Sequence, residues 1–121
     1  MAEFHETGKK GEELAASHLE KKGYQILEKN WRSGSNEIDI IAQNGEILVI
    51  VEVKTRRTNY FGEPEEFVTK SKQKLLVKAA NHYVIKNKLN NEVRFDIISV
   101  LYKGEQHKIY HIEDAFYPAL N

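Results

Sequence analysis

Three carboxylates and one amine stand in two short apolar stretches, Glu37-Ile38-Asp39 and, thirteen residues after Asp39, Glu52-Val53-Lys54. Asp and Glu supply the hard oxygen ligands that magnesium and manganese select, usually with waters completing the octahedron. An ammonium beside such acids can position or deprotonate a water, or offset the charge that develops on a phosphate during in-line attack. A metal, a nucleophilic water and cations for the extra negative charge are the parts that phosphodiester hydrolysis requires. Anions clustered on an otherwise apolar surface repel one another and cost desolvation energy. The grouping makes chemical sense when something cationic joins it.

The elements that must position these groups follow from the pattern around them. Asn44-Gly45 predicts a two-residue hairpin turn, because both positions must take positive φ. Strands 37–43 and 46–56 then pair Gln43 with Glu46, and opposing residue numbers sum to 89. In this register Asp39 faces Ile50, Glu37 faces Glu52, and Asp39 and Glu52 are diagonal neighbours roughly 7–8 Å apart. Alternation of period two puts Glu37, Asp39, Glu52 and Lys54 on one face. In the second strand Ile47, Val49, Val51 and Val53 fill one face, with Leu48 and Ile50 on the other. Apolar residues on both faces imply a central strand covered on both sides.

A first helix is expected from Thr7, as a cap, to Lys22, stopping at Gly23. Ala15, Ala16 and Leu19 form its apolar stripe, Glu12 falls on that stripe, and Glu13 points away. Tyr24 to Arg32 reads as a strand with Tyr24, Ile26 and Leu27 inward, followed by a turn at residues 33–36. Thr58 to Thr69, with Gly62 and Pro64, reads as an irregular loop. A second helix, Ser71 to Lys88, has the ridges Leu75/Ala79/Tyr83 and Leu76/Ala80/Val84. Strands Val93 to Tyr102 and His107 to Ile112, joined by a turn at Gly104, complete the order α-β-β-β-α-β-β. This predicts a single α/β domain over residues 1–121, a mixed five-stranded sheet flanked by helices.

Composition fits that size. A chain of 121 residues, 40% apolar and 30% charged, can bury a real core and is not disordered. There is no cysteine, which excludes disulfides and thiolate metal sites and suits a reducing compartment. The segment Met1 to Glu6 lacks a signal pattern, and the longest aliphatic run, Ile47 to Val51, is too short for a bilayer. The expectation is a cytoplasmic protein with no membrane partner. Net charge is zero, but residues 1–53 carry −4, residues 54–91 carry +6 and residues 92–121 carry −2. A basic middle beside an acidic hairpin suits an anionic polymer lying across a metal site; a solvated helix face is the plain alternative.

Taken together, these residues resemble a known family. Asp-Xn-Glu-Val-Lys on a hairpin after an N-terminal helix is similar to the core of the PD-(D/E)XK nuclease superfamily, the restriction-endonuclease-like fold. More closely, the chain resembles the small bacterial YraN-type proteins, themselves similar to archaeal Holliday-junction resolvases. The resemblance rests on Gly8-Lys9-Lys10-Gly11-Glu12, Gly23-Tyr24, Asn30, Glu37-Ile38-Asp39-Ile40-Ile41-Ala42 and Val51-Glu52-Val53-Lys54. It continues through Arg56/Arg57, Lys72, Ala79-Ala80, Arg94-Phe95-Asp96 and His111-Ile112-Glu113-Asp114-Ala115-Phe116, nearly the whole chain. It implies Asp39 and Glu52 as ligands of Mg2+ or Mn2+ and Lys54 as the catalytic lysine. The glutamate that the resolvases carry eleven residues before a Gly-aromatic pair is Glu12 here. Ile38 replaces the family's proline, and Glu37 either assists the metal or is a solvated strand end.

Other features are weaker. Lys70, Lys74, Lys78, His82 and Lys86 recur every fourth residue along the second helix, with Lys72 nearby. Like charges at that spacing disfavour an isolated helix, and phosphates or salt would relieve them. Arg56 and Arg57 are candidates to grip a nucleic-acid backbone, and Asn59, Tyr60 and Phe61 to contact bases. Asp96 is expected to pair with Arg94, His107 and His111 to be structural or exposed, and Trp31, Phe116 and Tyr117 to pack. Phosphate-loop, dinucleotide and nucleophile-elbow motifs are missing. The leading expectation is a Mg2+- or Mn2+-dependent endonuclease on branched or structured DNA. A non-catalytic nucleic-acid-binding module on the same fold, or a protein adaptor using the second helix, are the alternatives. Resemblance to the resolvases suggests a homodimer, since a symmetric junction offers two sites.

Overall fold

The computed structural model of the protein describes residues 2–57 and 68–117, with side chains from residue 8 onward. In chain order it consists of α1 (Ala2–Lys21), β1 (Gln25–Ser33), β2 (Asn36–Asn44), β3 (Ile47–Arg57), α2 (Lys70–Lys86), β4 (Glu92–Lys103) and β5 (Gln106–Phe116). This is the expected α/β order. The five strands lie side by side in sequence order, antiparallel except for β3 and β4, which run parallel. A parallel pair cannot be joined by a tight turn, and α2 lies in the connection between these two strands.

Each helix covers one face. Ala15, Ala16 and Leu19 of α1 pack with Ile40, Ala42, Val49, Val51, Ile98 and Val100. Leu76, Ala79, Ala80 and Tyr83 of α2 pack with Ile38, Ile41, Leu48, Ile50, Phe95 and Ile97. β3 is therefore central, as its two-sided apolar pattern requires. Each fully buried Ile, Leu or Val contributes about 1.5–3 kcal/mol.

Several boundaries differ from the sequence reading. α1 begins at Ala2, so Thr7 lies within the helix and is not its cap. It ends at Lys21, and Gly23 takes φ +91. α2 starts at Lys70, one residue before Ser71, because the Thr69 hydroxyl accepts the Lys72 N–H (3.1 Å). At its other end Asn87 donates its side-chain N–H to the Tyr83 carbonyl (2.9 Å), closing the helix before Lys88. Leu75 is 44% exposed, since the buried stripe runs through Leu76, Ala79, Ala80 and Tyr83 and leaves the Leu75 ridge rotated outward. β5 runs on to Phe116, which stacks on Phe95 (5.1 Å between ring centres). Tyr117 is exposed, not packed. Of the expected loop 58–69, residues 58–67, with Asn59, Tyr60 and Phe61, lie outside the described residues.

The hairpin register also differs. Asn44 stays in the strand and pairs with Ile47, leaving Gly45-Glu46 as the turn, so opposing numbers sum to 91. Gly45 takes φ +62 while Glu46 does not go positive, the pattern of a II′ turn with glycine at its first central position. The shift is two residues, and an even shift leaves the paired residues 40–44 and 47–51 on their expected faces. Asp39 thus lies level with Glu52, not with Ile50.

Candidate active site

The site forms where β2 and β3 part. Their ladder ends at the pair Ile40–Val51. One step further, Asp39 inserts its side chain, and the Val53 N–H donates to Asp39 Oδ2 (2.8 Å). On the other side of β2, Asn30 of β1 sits level with Asp39 and takes φ +52. Strand alternation breaks at this point. Ile38 belongs to the α2-side core while Ile40, two residues on, belongs to the α1-side core. The Asp39 carboxylate therefore stands between the two layers, within reach of both helices.

Glu12 approaches from α1. Its neighbour Gly11 is buried against β3, where a Cβ would collide with Thr55 Oγ1, so glycine lets the helix come this close. The Glu12 carboxyl is raised above its ordinary value by burial and then by the charge of Asp39; hydrogen bonding to Asn30 opposes this, and Glu37 adds to it. Asp39 is pushed up to about 8 by burial, then by hydrogen bonding to Glu52 and by the Glu52 charge. The Val53 N–H and the Lys72 ammonium pull it back down. Near neutral pH the Asp39 carboxyl therefore favours its protonated form.

Glu52 is buried, and among the described residues its Oε2 has no hydrogen-bond partner; Lys72 Nζ lies 3.6 Å from that oxygen. A buried carboxylate oxygen left unbonded is costly. Two touching carboxylates with one oxygen unmet are a donor set that suits a hard divalent cation such as Mg2+ or Mn2+. The residues present fit such an ion.

Lys54 lines a cleft of about 340 Å³ together with Gly8, Glu12, Val53, Thr55, Arg56 and Arg57. The structure thus brings Asp39 to Glu52 and sets Glu12 close enough to feel the Asp39 charge, while Lys54 lines the same cleft as Glu12. Among the described residues, no three His, Asp or Glu side chains already converge as a ligand cluster, so Glu12 stands at the margin. Glu37 turns to Arg32 in a partly exposed ion pair (2.9 Å). Lys70, Lys74 and Lys78 are exposed along α2, whereas Lys72 is partly buried. His107 is exposed; His111 instead joins Asp96, with Nε2 2.7 Å from Oδ2, and Arg94 grips the same carboxylate through two donors at 2.9 Å.

Asn30 and Lys72, both part of the family resemblance in the sequence and Lys72 also of the basic helix, each break a local preference. Asn30 is the residue type that strands disfavour and that tolerates positive φ. Lys72 occupies the third position after the Thr69 cap, where a capping box would have Glu or Gln and where the helix dipole disfavours a cation.

Residues 11–100 match the model of the uncharacterised protein family UPF0102. A UPF0102 protein of Flavobacterium psychrophilum is 57% identical over 117 residues, 97% of this chain and 98% of its own length. One from Christiangramia forsetii is 52% identical over 97% of this chain and 98% of its own. A third, from Thermodesulfovibrio yellowstonii, is 49% identical over 93% and 96%. With a family model covering most of the chain and relatives matched nearly end to end, the chain belongs to the UPF0102 family.

Proposed function

We propose that the protein is a divalent-metal-dependent endonuclease that hydrolyses phosphodiester bonds in DNA, with branched or structured DNA as its substrate class. The observation that carries this reading is the partly buried Asp39 against the buried Glu52, one oxygen unmet, placed where the strands part and beside the cleft that Val53 and Lys54 line. Asp39 and Glu52 would hold Mg2+ or Mn2+, with Glu12 completing the set. A divalent ion bound there supplies Lewis acidity and lowers the pKa of a bound water. Lys54, in the adjoining cleft, orients the attacking water and offsets charge developing on the phosphate oxygens. Val53 contributes through its N–H, which fixes the Asp39 carboxylate.

Cations around the site suit a polyanion. Arg56 and Arg57 line the cleft, and Lys70, Lys74 and Lys78 lie exposed on α2. A pair of chains would offer two such sites to a symmetric junction. Incubation with labelled linear, flap and four-way-junction DNA, with and without Mn2+, tests the reading. Asp39→Ala, Glu52→Ala and Lys54→Ala should each lower cleavage by about a hundredfold or more. Cleavage that survives all three contradicts the assignment. Salt-sensitive DNA binding with no cleavage under any divalent ion would instead favour a non-catalytic binding module.

A further inference from the structure

Lys72 is a surface-type residue in an unexpected position. It lies in the first turn of α2, the positive end of the helix dipole, and that turn holds no acidic residue of its own. Its backbone N–H is tied to the Thr69 hydroxyl (3.1 Å), and the Gln73 side chain next to it donates to the Val68 carbonyl (3.1 Å). Val68 and Leu76 are buried on the sheet, so the backbone around Lys72 is fixed and its side chain is carried toward β3. The ammonium ends 3.6 Å from Glu52 Oε2, the buried oxygen that lacks a hydrogen bond. Its side chain keeps 38% exposure against 5% for Glu52, so the ammonium has a route back to solvent that the carboxylate does not. Local sequence preference is broken in favour of a charge aimed at the acid pair, and such conflicts mark functional positions.

We infer that Lys72 is the resident counter-ion of the Asp39–Glu52 pair, an ammonium that competes with a divalent cation for Glu52. This inference rests on the metal-site reading above. Without metal, Lys72 offsets the charge that the two acids would otherwise bury unpaired. A divalent ion must displace it from Glu52, and the displaced ammonium is then free to meet a phosphate at the mouth of the site. Metal loading and the release of a phosphate-binding cation are thereby coupled in one exchange.

The test is Mn2+ binding by calorimetry to the intact, DNA-free protein, comparing wild type with Lys72→Met, Lys72→Arg and Glu52→Gln. Removing the competing charge should tighten Mn2+ binding by about fivefold to tenfold, the scale of one half-exposed ion pair. Lys72→Arg keeps a cation and should bind like wild type. A purely structural lysine, one that merely holds Glu52 in place, gives the opposite sign. Equal or weaker binding by Lys72→Met therefore overturns the counter-ion role while leaving the metal site standing. Mn2+ binding that Glu52→Gln does not diminish, or no Mn2+ binding by any form, overturns both.

Discussion

Asp39 is under opposing demands: the Val53 N–H favours its anion, while burial and the neighbouring Glu52 favour its protonated form. Burial and Glu52 win, and the folded group is pushed from an ordinary 3.8 up to about 8. Between those values the folded protein holds a proton that the unfolded chain has released. The associated stability is present below about pH 4 and is lost as pH rises toward 8. In metal-free buffer, Asp39→Asn should therefore gain thermal stability relative to wild type as pH is raised from 5 to 8; parallel melting curves would contradict the shift. Asp96 shows the reverse balance. Burial pushes its carboxyl up, but hydrogen bonds from His111, Arg94 and the Asp114 N–H outweigh it and hold the group below its usual value. At this scale the sequence made residue type legible: Asp39, Glu52 and Lys54 stood out by chemistry, and Asp96 by its nearness to Arg94. What it could not give was partner choice across long separations, such as Lys72 to Glu52 or His111 to Asp96, because that depends on how whole layers dock.

Among the elements, α1 bears most directly on the site, since it must come close enough to β3 to present Glu12. Gly11 permits this, with Thr55 filling the space a methyl group would need. Thr55 is β-branched and stiff, so Gly11→Ala has to push the helix outward. The expected cost is about 1–3 kcal/mol of unfolding free energy, measured by urea titration, with much of it recovered in Gly11→Ala/Thr55→Ala. A Gly11→Ala protein as stable as wild type would show that the helix does not need this contact. Helical phase had already turned Glu12, Ala15, Ala16 and Leu19 inward, because α1 is regular along its length. The hairpin was harder to read. Asn44-Gly45 fits one turn and Gly45-Glu46 another, and only the structure shows which pair makes the bend. The even slip kept the paired residues 40–44 and 47–51 on their expected faces, but Asp39, at a break in alternation, stands between the layers. No pattern rule foresaw the break in alternation at Asp39, which arises where β2 and β3 separate opposite the positive φ of Asn30.

For the molecule as a whole, two cores on either side of one sheet hold the site between them, with α1 and α2 each sending a charged side chain toward Asp39. The α1 layer is also fastened at its far end. Arg94 reaches from Asp96 to the Tyr24 hydroxyl (2.7 Å), and Lys22 Nζ lies 3.0 Å from His111 Nδ1. Fold class and element order were legible because two-sided burial of β3 and the two amphipathic helices leave few arrangements. Among the described residues, no helix is long and apolar enough to cross a membrane. The account depends on a cation site placed where both layers meet. A Mn2+-soaked crystal, with anomalous maps at the manganese edge, addresses it directly. The account predicts a peak bridging Asp39 and Glu52, with the Lys72 ammonium withdrawn from Glu52. A well-ordered site with no peak, and Lys72 still against Glu52, would contradict it.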